Sequence, residues 1–312
     1  MNEIRTLDFF ESMKLPHNNL IAKIKYIRYG AFLWYRILSF CENSVVKGLP
    51  VKNLSLNKNR RGERIIASLT SYPGRINVVH LAIKSIFLQT VKPDLIVLWL
   101  ARNQFPNGVD NKELKNLVER GLEIRYIDDY RSYKKYMVAL QEQQSNELVI
   151  TFDDDIIYHP HTIENCLKKH NEFPNSIVVS QSLRIAIVDK KIQDYRKWKV
   201  NQIANSPSYL NMPLTGSGCL YPYGILNEDA FNWELIKKLA PNTDDLWIMA
   251  QSVLSGIRVV AVDKQAKIFT TVDDSQASHL AMINCIDGGN DITVQRLITN
   301  YPLLKQRLLN EK

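Results

Sequence analysis

Cysteine is scarce in this chain of 312 residues: Cys41, Cys166, Cys219 and Cys285 stand far apart, and no CxxC pair occurs. That spacing indicates neither a zinc site nor a disulfide framework, and a reducing compartment is expected. Long apolar runs are missing too; no stretch reaches the roughly 18 uncharged residues that a membrane-spanning helix needs. The opening residues, MNEIRTLDFFESMK, include acidic side chains and no apolar segment, so no signal peptide is expected. Neither GxGxxG nor GxxxxGK followed by Ser or Thr is present, which removes the usual dinucleotide fingerprint and the Walker phosphate loop. Internal repeats and low-complexity tracts are absent. What remains is an ordinary globular composition, 45% hydrophobic and 23% charged, long enough for one large domain or two small ones. A net charge of +8 points to an anionic partner such as phosphates, an acidic glycan or a membrane surface, without choosing among them.

The most informative stretch is LVITFDDDIIYHP, residues 148–160. A short β-rich run, residues 148–152, reads as a buried strand that ends in Asp153, Asp154 and Asp155. Adjacent carboxylates raise one another's pKa unless a cation or strong donors favour the ionised forms. Asp153 and Asp155, at i and i+2, therefore suggest hard-oxygen ligands for Mg2+ or Mn2+. A polar turn after a strand is the alternative.

Towards the N-terminus, Leu20, Ile21, Ile24, Ile27, Ala31, Trp34, Leu38 and Cys41 recur at helical spacing, and Lys23, Lys25, Arg28 and Arg36 decorate the helix. Such a helix either lies in a membrane interface or packs on the rest of the chain. Residues 48–62, polar and broken by Gly and Pro, read as a linker, so the compact domain is expected from residue 63. Buried strands are expected over 65–69, 95–100, 123–127 and 148–152, with helical patterns over 78–86, 111–120 and 134–144 between them. This alternation predicts an α/β fold, a mainly parallel sheet flanked by helices. Beyond the acidic cluster, 162–172 reads as helix and 176–180 as strand. Tyr195, Trp198 and Tyr209 belong to a pocket wall or to core. Gly216-Ser217-Gly218 lets backbone approach a ligand, or makes a tight turn between strands. Thr243, Asp244 and Asp245 stand where helix caps belong, before an apolar helical run that ends at Gly256. Capping accounts for one of those carboxylates and not obviously for two.

Over residues 65–298 these pieces, in this order, resemble a glycosyltransferase of the GT-A fold, particularly the bacterial family-2-like enzymes that build capsule and lipopolysaccharide glycans. IIASLTSYPGRI stands where such enzymes bind the nucleotide, which implies roles for Thr70, Ser71, Tyr72 and Arg75. SIFLQTVKPDLIVLWL resembles the helix and strand that follow. FDDDII matches the metal-binding DxD, with Asp153 and Asp155 on the ion and Asp154 on the donor's ribose or sugar. DDLWIMA resembles the acidic pair of a late helix whose second carboxylate, Asp245, is the usual catalytic base, with Asp244 as the competing assignment. RSYKKYMVAL and TGSGCLYP look like pieces of a narrower bacterial subgroup. The resemblance adds His279 as a third metal ligand, with a structural hydrogen-bonding role as the alternative, and the loop at Gly288, Gly289, Asn290 and Asp291 either closes over the nucleotide or caps the last helix. Lys135 and Arg75, with Lys134 beside them, are cations at loop ends near the proposed phosphate site, with a solvated surface charge as the alternative for each. Asp129, at the end of the third strand, joins the nucleotide-sugar set. Gly216, Ser217, Gly218 and Trp247 are assigned to the acceptor.

The expectation is thus an N-terminal helical extension and linker (1–62) and a GT-A catalytic domain (63–312), with a nucleotide-binding half over 63–160 and an acceptor half over 161–312. The expected activity is inverting, Mn2+- or Mg2+-dependent transfer of a sugar from a nucleotide-sugar donor, UDP-linked, to a lipid-linked or oligosaccharide acceptor of a bacterial surface glycan. The N-terminal helix would hold the enzyme peripherally on the cytoplasmic face of the inner membrane, and no nucleic acid is expected as a partner. Two alternatives stand beside it: a nucleotidyltransferase, and a non-catalytic glycan-binding or assembly protein with the same fold. A hydrolase with an aspartyl nucleophile is disfavoured, because Ile156 and Ile157 stand where it would want Thr or Val.

Overall fold

Buried apolar runs become strands, and amphipathic segments become the helices between them. The computed structural model describes residues 3–6, 25–200, 206–262, 270–272 and 288–311. Helix α1 (Lys25–Lys47) precedes strand β1 (Arg64–Thr70), α2 (Val79–Phe87), β2 (Leu95–Ala101), α3 (Lys112–Val118) and β3 (Leu122–Ile127). Helix α4 (Lys134–Gln141) and β4 (Glu147–Phe152) lead into the acidic cluster, followed by the short β5 (Ile156–Ile157), α5 (Thr162–Glu172) and β6 (Ile177–Val179). Short strands β7 (Ser182–Arg184), β8 (Ile187–Val188), β9 (Lys191–Ile192), β10 (Lys199–Val200) and β11 (Asn211–Pro213) precede β12 (Ser217–Tyr221). The chain continues through α6 (Trp233–Leu239), α7 (Asp244–Leu254), β13 (Val259–Ala261), β14 (Thr270–Thr271), α8 (Gly289–Asn300) and α9 (Pro302–Asn310).

The central sheet has seven strands in the order β13-β6-β12-β4-β1-β2-β3. All its pairings are parallel except those of β12, which runs antiparallel to both β4 and β6. The α/β, mainly parallel, Rossmann-like architecture read from the sequence is the one observed. Strands β1, β2 and β4 are buried on both faces, as their continuous apolar runs require. Ile65, Ala67 and Leu69 of β1 pack with Leu148, Ile150 and Phe152 of β4 against Ile83, Leu114 and Cys166 of α2, α3 and α5. The intervening Ile66, Val97, Trp99 and Val149 face Ala139 of α4. Further along the sheet the same face packs on α7 and α8.

Strand order decides where a ligand can sit. After β1 the chain steps outward to β2 and β3, then returns to β4 on the other side of β1. The loops leaving β1 and β4 therefore diverge and open a crevice at their carboxyl ends. Leu69 pairs with Phe152, which sets residues 70–75 and 153–155 side by side at that crevice.

Helix α1 docks through its C-terminal half: Val46 packs with Leu49, Leu81, Ala82, Ile157 and Val272, and Asn43 Nδ2 donates to the Thr271 carbonyl at 2.9 Å. Its outward side shows Ile37, 46% exposed, and Phe40, 65% exposed. Residues 48–62, read as a linker, lie along the domain with Leu49 and Leu54 buried and the Asn57 N–H donating to the Pro93 carbonyl at 2.9 Å. No helix among the described residues is long and apolar enough to cross a membrane. Trp198, left open between pocket wall and core, is buried beside Leu183 and Met212 with its indole N–H on the Gln193 carbonyl; Tyr195 and Tyr209 pack half-buried on the same cluster.

Candidate active site

Segments far apart in sequence meet at the crevice. From the loop after β1, Ser71 Oγ donates to Asp154 Oδ2 at 2.6 Å, and Arg75 forks across Asp154 Oδ1 at 2.7 Å and Asp155 Oδ2 at 2.9 Å. From α4, Lys135 Nζ lies 2.7 Å from Asp153 Oδ1 and 2.8 Å from Asp244 Oδ2. Lys135 thereby joins the acidic cluster after β4 to the acidic pair that opens α7. Its side chain is only 3% exposed, so the ammonium has lost almost all its water and depends on those carboxylates.

Backbone geometry makes room for this. The turn between β11 and β12 brings Gly216 so close to the cluster that a Cβ there would lie 1.7 Å from Asp153 Oδ2. Any side chain at Gly216 must displace Asp153. The Asp153 N–H donates to the Tyr158 hydroxyl at 2.6 Å, and that hydroxyl donates to the Gly216 carbonyl. One residue earlier, Thr215 Oγ1 lies 2.8 Å from Asp244 Oδ2 and 2.7 Å from Asp245 Oδ1, and the Thr215 N–H donates to Asp245 Oδ1 at 2.8 Å. Ser132 Oγ donates to Asp244 Oδ1 at 3.0 Å. Thr243 occupies the N-cap of α7 without a capping side-chain bond, so neither it nor the aspartates serve as the expected cap. The two carboxylates turn instead to Thr215, Ser132 and Lys135.

Burial and charge separate these carboxylates. Burial raises the Asp155 carboxyl and Asp153 beside it adds to this, bringing it to about 6 despite Arg75. Burial likewise raises Asp154, although Arg75 and Ser71 pull it down. In the second pair the neighbours split: burial opposes the Asp244 charge, but Lys135 outweighs it and the carboxyl sits below its ordinary value. Asp245 lacks such a partner, so burial and the Asp244 charge push it up to about 7. Burial lowers Lys135, yet Asp153, Asp244 and Asp245 more than compensate, and its ammonium is held well above the usual range.

The other expected site residues are placed as follows. Tyr72 is 40% exposed, with the Arg75 guanidinium 5.7 Å from its ring centre, and Thr70 Oγ1 is spent on the Trp99 carbonyl at 2.8 Å. Asp129 receives Lys134 Nζ at 3.0 Å and Gln104 Nε2 at 2.9 Å, so both its oxygens are engaged. The acceptor assignments need correction. Trp247 is fully buried and its indole N–H is committed to the Ala230 carbonyl at 3.0 Å, which leaves it no surface to offer. Ser217 and Gly218 belong to β12, an inner strand, where Ser217 is 2% exposed and bonded to the Leu214 carbonyl. Only Gly216 of that trio adjoins the acidic cluster. His279 lies outside the described residues. Gly288 caps α8, and Asp291 accepts the Tyr195 N–H at 2.7 Å, so these residues start the helix. Sequence reasoning passed over Thr215, Ser132 and Tyr158. Thr215 was signalled only as the neighbour of the glycine pair, and hydroxyl residues are too common in loops to stand out.

No family model matches the chain, and no curated protein sequence does either. Among solved structures it is similar to the mannosyltransferase PcManGT from Pyrobaculum calidifontis in complex with GDP-Man and Mn2+, at 11% identity over 97% of this chain and 79% of that one, with a TM-score of 0.46. S. aureus TarS 1-349 shares 13% identity over 65% of this chain and 59% of its own, with a TM-score of 0.40. The Francisella tularensis 2-C-methyl-D-erythritol 4-phosphate cytidylyltransferase shares 13% over 72% and 99%, with a TM-score of 0.42. Likeness at this level speaks neither to substrate nor to mechanism.

Proposed function

We propose that the chain is a GT-A-type, metal-dependent, inverting glycosyltransferase that moves a sugar from a UDP-linked donor to a hydroxyl of a bacterial surface-glycan acceptor. The observation that carries this reading is the Lys135 bridge, which sets an acidic cluster at the sheet's switch point beside a second acidic pair containing a carboxyl raised to about 7. A diphosphate-leaving reaction needs both: charge control at the leaving group and a base for the incoming hydroxyl.

The donor set at Asp153 and Asp155 fits a hard cation. Both side chains are partly exposed, 40% and 23%, and each has one oxygen, Oδ2 of Asp153 and Oδ1 of Asp155, with no hydrogen-bond partner among the described residues. Burial, with the Asp153 charge adding to it, raises the Asp155 carboxyl, and a bound cation would favour its ionised form. No cluster of three His, Cys, Asp or Glu ligands occurs among the described residues; Asp153 and Asp155 would hold an Mn2+ or Mg2+ ion, and His279, water or donor oxygens would complete its shell. Bound there, the ion would neutralise charge developing on the leaving diphosphate. Arg75 holds Asp154 and Asp155 in place and presents cationic charge to the phosphates. Asp245 takes the proton of the acceptor hydroxyl as it attacks the anomeric carbon from the face opposite the leaving group.

Screening nucleotide sugars for Mn2+-dependent UDP release tests this reading, with Asp155→Ala expected to abolish metal-dependent UDP binding. Retained affinity in that variant overturns the metal assignment. Pyrophosphate release from a nucleoside triphosphate, with no UDP release from any sugar donor, favours nucleotidyl transfer instead. The same reading puts the outward face of α1, with Ile37 and Phe40, against an anionic bilayer carrying the acceptor. Co-sedimentation with phosphatidylglycerol vesicles should fall in Phe40→Glu; equal sedimentation of both proteins removes the membrane from the proposal.

A further inference from the structure

We infer that Thr215 is a positioning residue that gives the two carboxylates at the start of α7 their separate roles, holding Asp245 as the base while Asp244 remains a fixed counterion. This deepens the transferase reading and rests on it.

A hydroxyl carries one proton and can serve only one carboxylate at a time. Thr215 Oγ1 is within reach of both, 2.8 Å from Asp244 Oδ2 and 2.7 Å from Asp245 Oδ1. The rest of the surroundings decides which one it serves. Asp244 already has Lys135 Nζ at 2.8 Å and Ser132 Oγ at 3.0 Å, so its charge is satisfied without Thr215. Asp245 has no hydrogen-bond donor among the described residues other than the N–H and hydroxyl of Thr215, and both meet the same oxygen, Oδ1. With both carboxylates ionised, the Thr215 proton therefore goes to Asp245. Two donors on Oδ1 fix the plane of that carboxylate and leave Oδ2 to accept a proton. Once Asp245 has taken one, it no longer needs the hydroxyl, which can turn to Asp244.

Thr215 is itself held rigidly. It is fully buried, its carbonyl accepts from Thr151 Oγ1 at 2.6 Å, and Thr151 lies two residues before Asp153 on β4. The turn that places Asp245 is thus bolted to the strand that places the acidic cluster. The titratable groups facing Asp245 are Asp244 on its own helix, Lys135 from α4, Tyr133 just before α4, and Cys219 from β12. Burial raises the Tyr133 hydroxyl and the Cys219 thiol far above neutrality, so only Asp244 and Lys135 bear charge there at pH 7.

The test uses full-length protein with Thr215→Val, which keeps the shape, and Thr215→Ser, which keeps the hydroxyl. The Asp245 carboxyl is followed by 13C NMR, its resonance identified by loss in Asp245→Asn. In parallel, kcat and the donor KM are measured against pH on whichever nucleotide sugar supports UDP release. Thr215→Val is expected to raise the Asp245 midpoint by about one pH unit, since a bond to its ionised form is lost. The acid limb of kcat should move with it, the donor KM should stay unchanged, and Thr215→Ser should restore both. An unmoved midpoint in Thr215→Val, with active wild-type enzyme, overturns the role of Thr215 alone. Absence of UDP release from the wild type overturns the transferase reading and, with it, any role for Thr215 in transfer.

Discussion

Asp245→Asn should leave Mn2+-dependent UDP affinity unchanged while transfer falls by about 10²–10⁴-fold, the usual contribution of a general base. The amide has the shape of the carboxylate and can still accept at Oδ1 from the N–H and hydroxyl of Thr215. The helix start is therefore preserved, and only the ability to take a proton is lost. Calorimetric titration with UDP and Mn2+ separates binding from transfer, which is followed on the same preparations. Loss of transfer in Asp244→Asn with retention in Asp245→Asn would show that the other carboxylate is the base. The pH dependence has a definite sign. Burial and the neighbouring Asp244 charge raise the Asp245 carboxyl to about 7, and a base works only when ionised. Activity should accordingly decline as the pH falls through about 7, well above the acid limb that an ordinary aspartate would give.

Lys135→Met is expected to be the most destabilising single change at the site. The side chain is 3% exposed and its ammonium serves Asp153 and Asp244 together. Removing one partner of a buried ion pair costs about 3–5 kcal/mol, because the remaining charge is left without compensation. Asp153 is 40% exposed and is rescued by water, so its share is small. Asp244, at 12% exposure, carries most of the loss and places it at about 3 kcal/mol, the low end of that range. For a domain of this size that corresponds to a fall of roughly 6–12 °C in Tm. The deficit depends on pH. Lys135 holds the Asp244 carboxyl below its ordinary value of 3.8, so its contribution is complete above that value and is lost as the pH falls through the depressed one. In the variant, Asp244 has burial and Asp245 acting on it without the cation, so acidification neutralises it and relieves the penalty. Thermal denaturation should therefore show the widest gap between the two proteins near neutrality and a narrowing one in acid. A Lys135→Met protein as stable as wild type at pH 7 would mean that the bridge contributes nothing to the fold. In the double variant with Asp244→Asn, much of the loss should be recovered, since no buried charge then stands alone.

Local pattern and tertiary contact divide the remaining features cleanly. Local pattern placed the sheet strands expected over 65–69, 95–100, 123–127 and 148–152 and the helices between them, because an inner strand buried on both faces must be apolar throughout and a covering helix must be apolar on one side. Adjacency in sequence also made Asp153, Asp154 and Asp155 conspicuous, since carboxylates so close together demand cations wherever they are buried. Trp247 went the other way: next to an acidic pair it invited a role with the acceptor, yet its position in an apolar helical run put it in the core. The Gly216 stretch was ambiguous for a similar reason, because turn and inner strand share the same residues until the partner strands are known. What only the tertiary structure decided is which charges meet. Insertion of β12 antiparallel between β4 and β6 carries Thr215 and Gly216 to the acidic cluster, and α4 delivers Lys135 between two carboxylates 91 residues apart in sequence. Electrostatic partnership falls off with distance in space and is blind to distance along the chain, so the sequence determined the acidic groups, and the fold determined which of them shares the Lys135 ammonium and which stands without it.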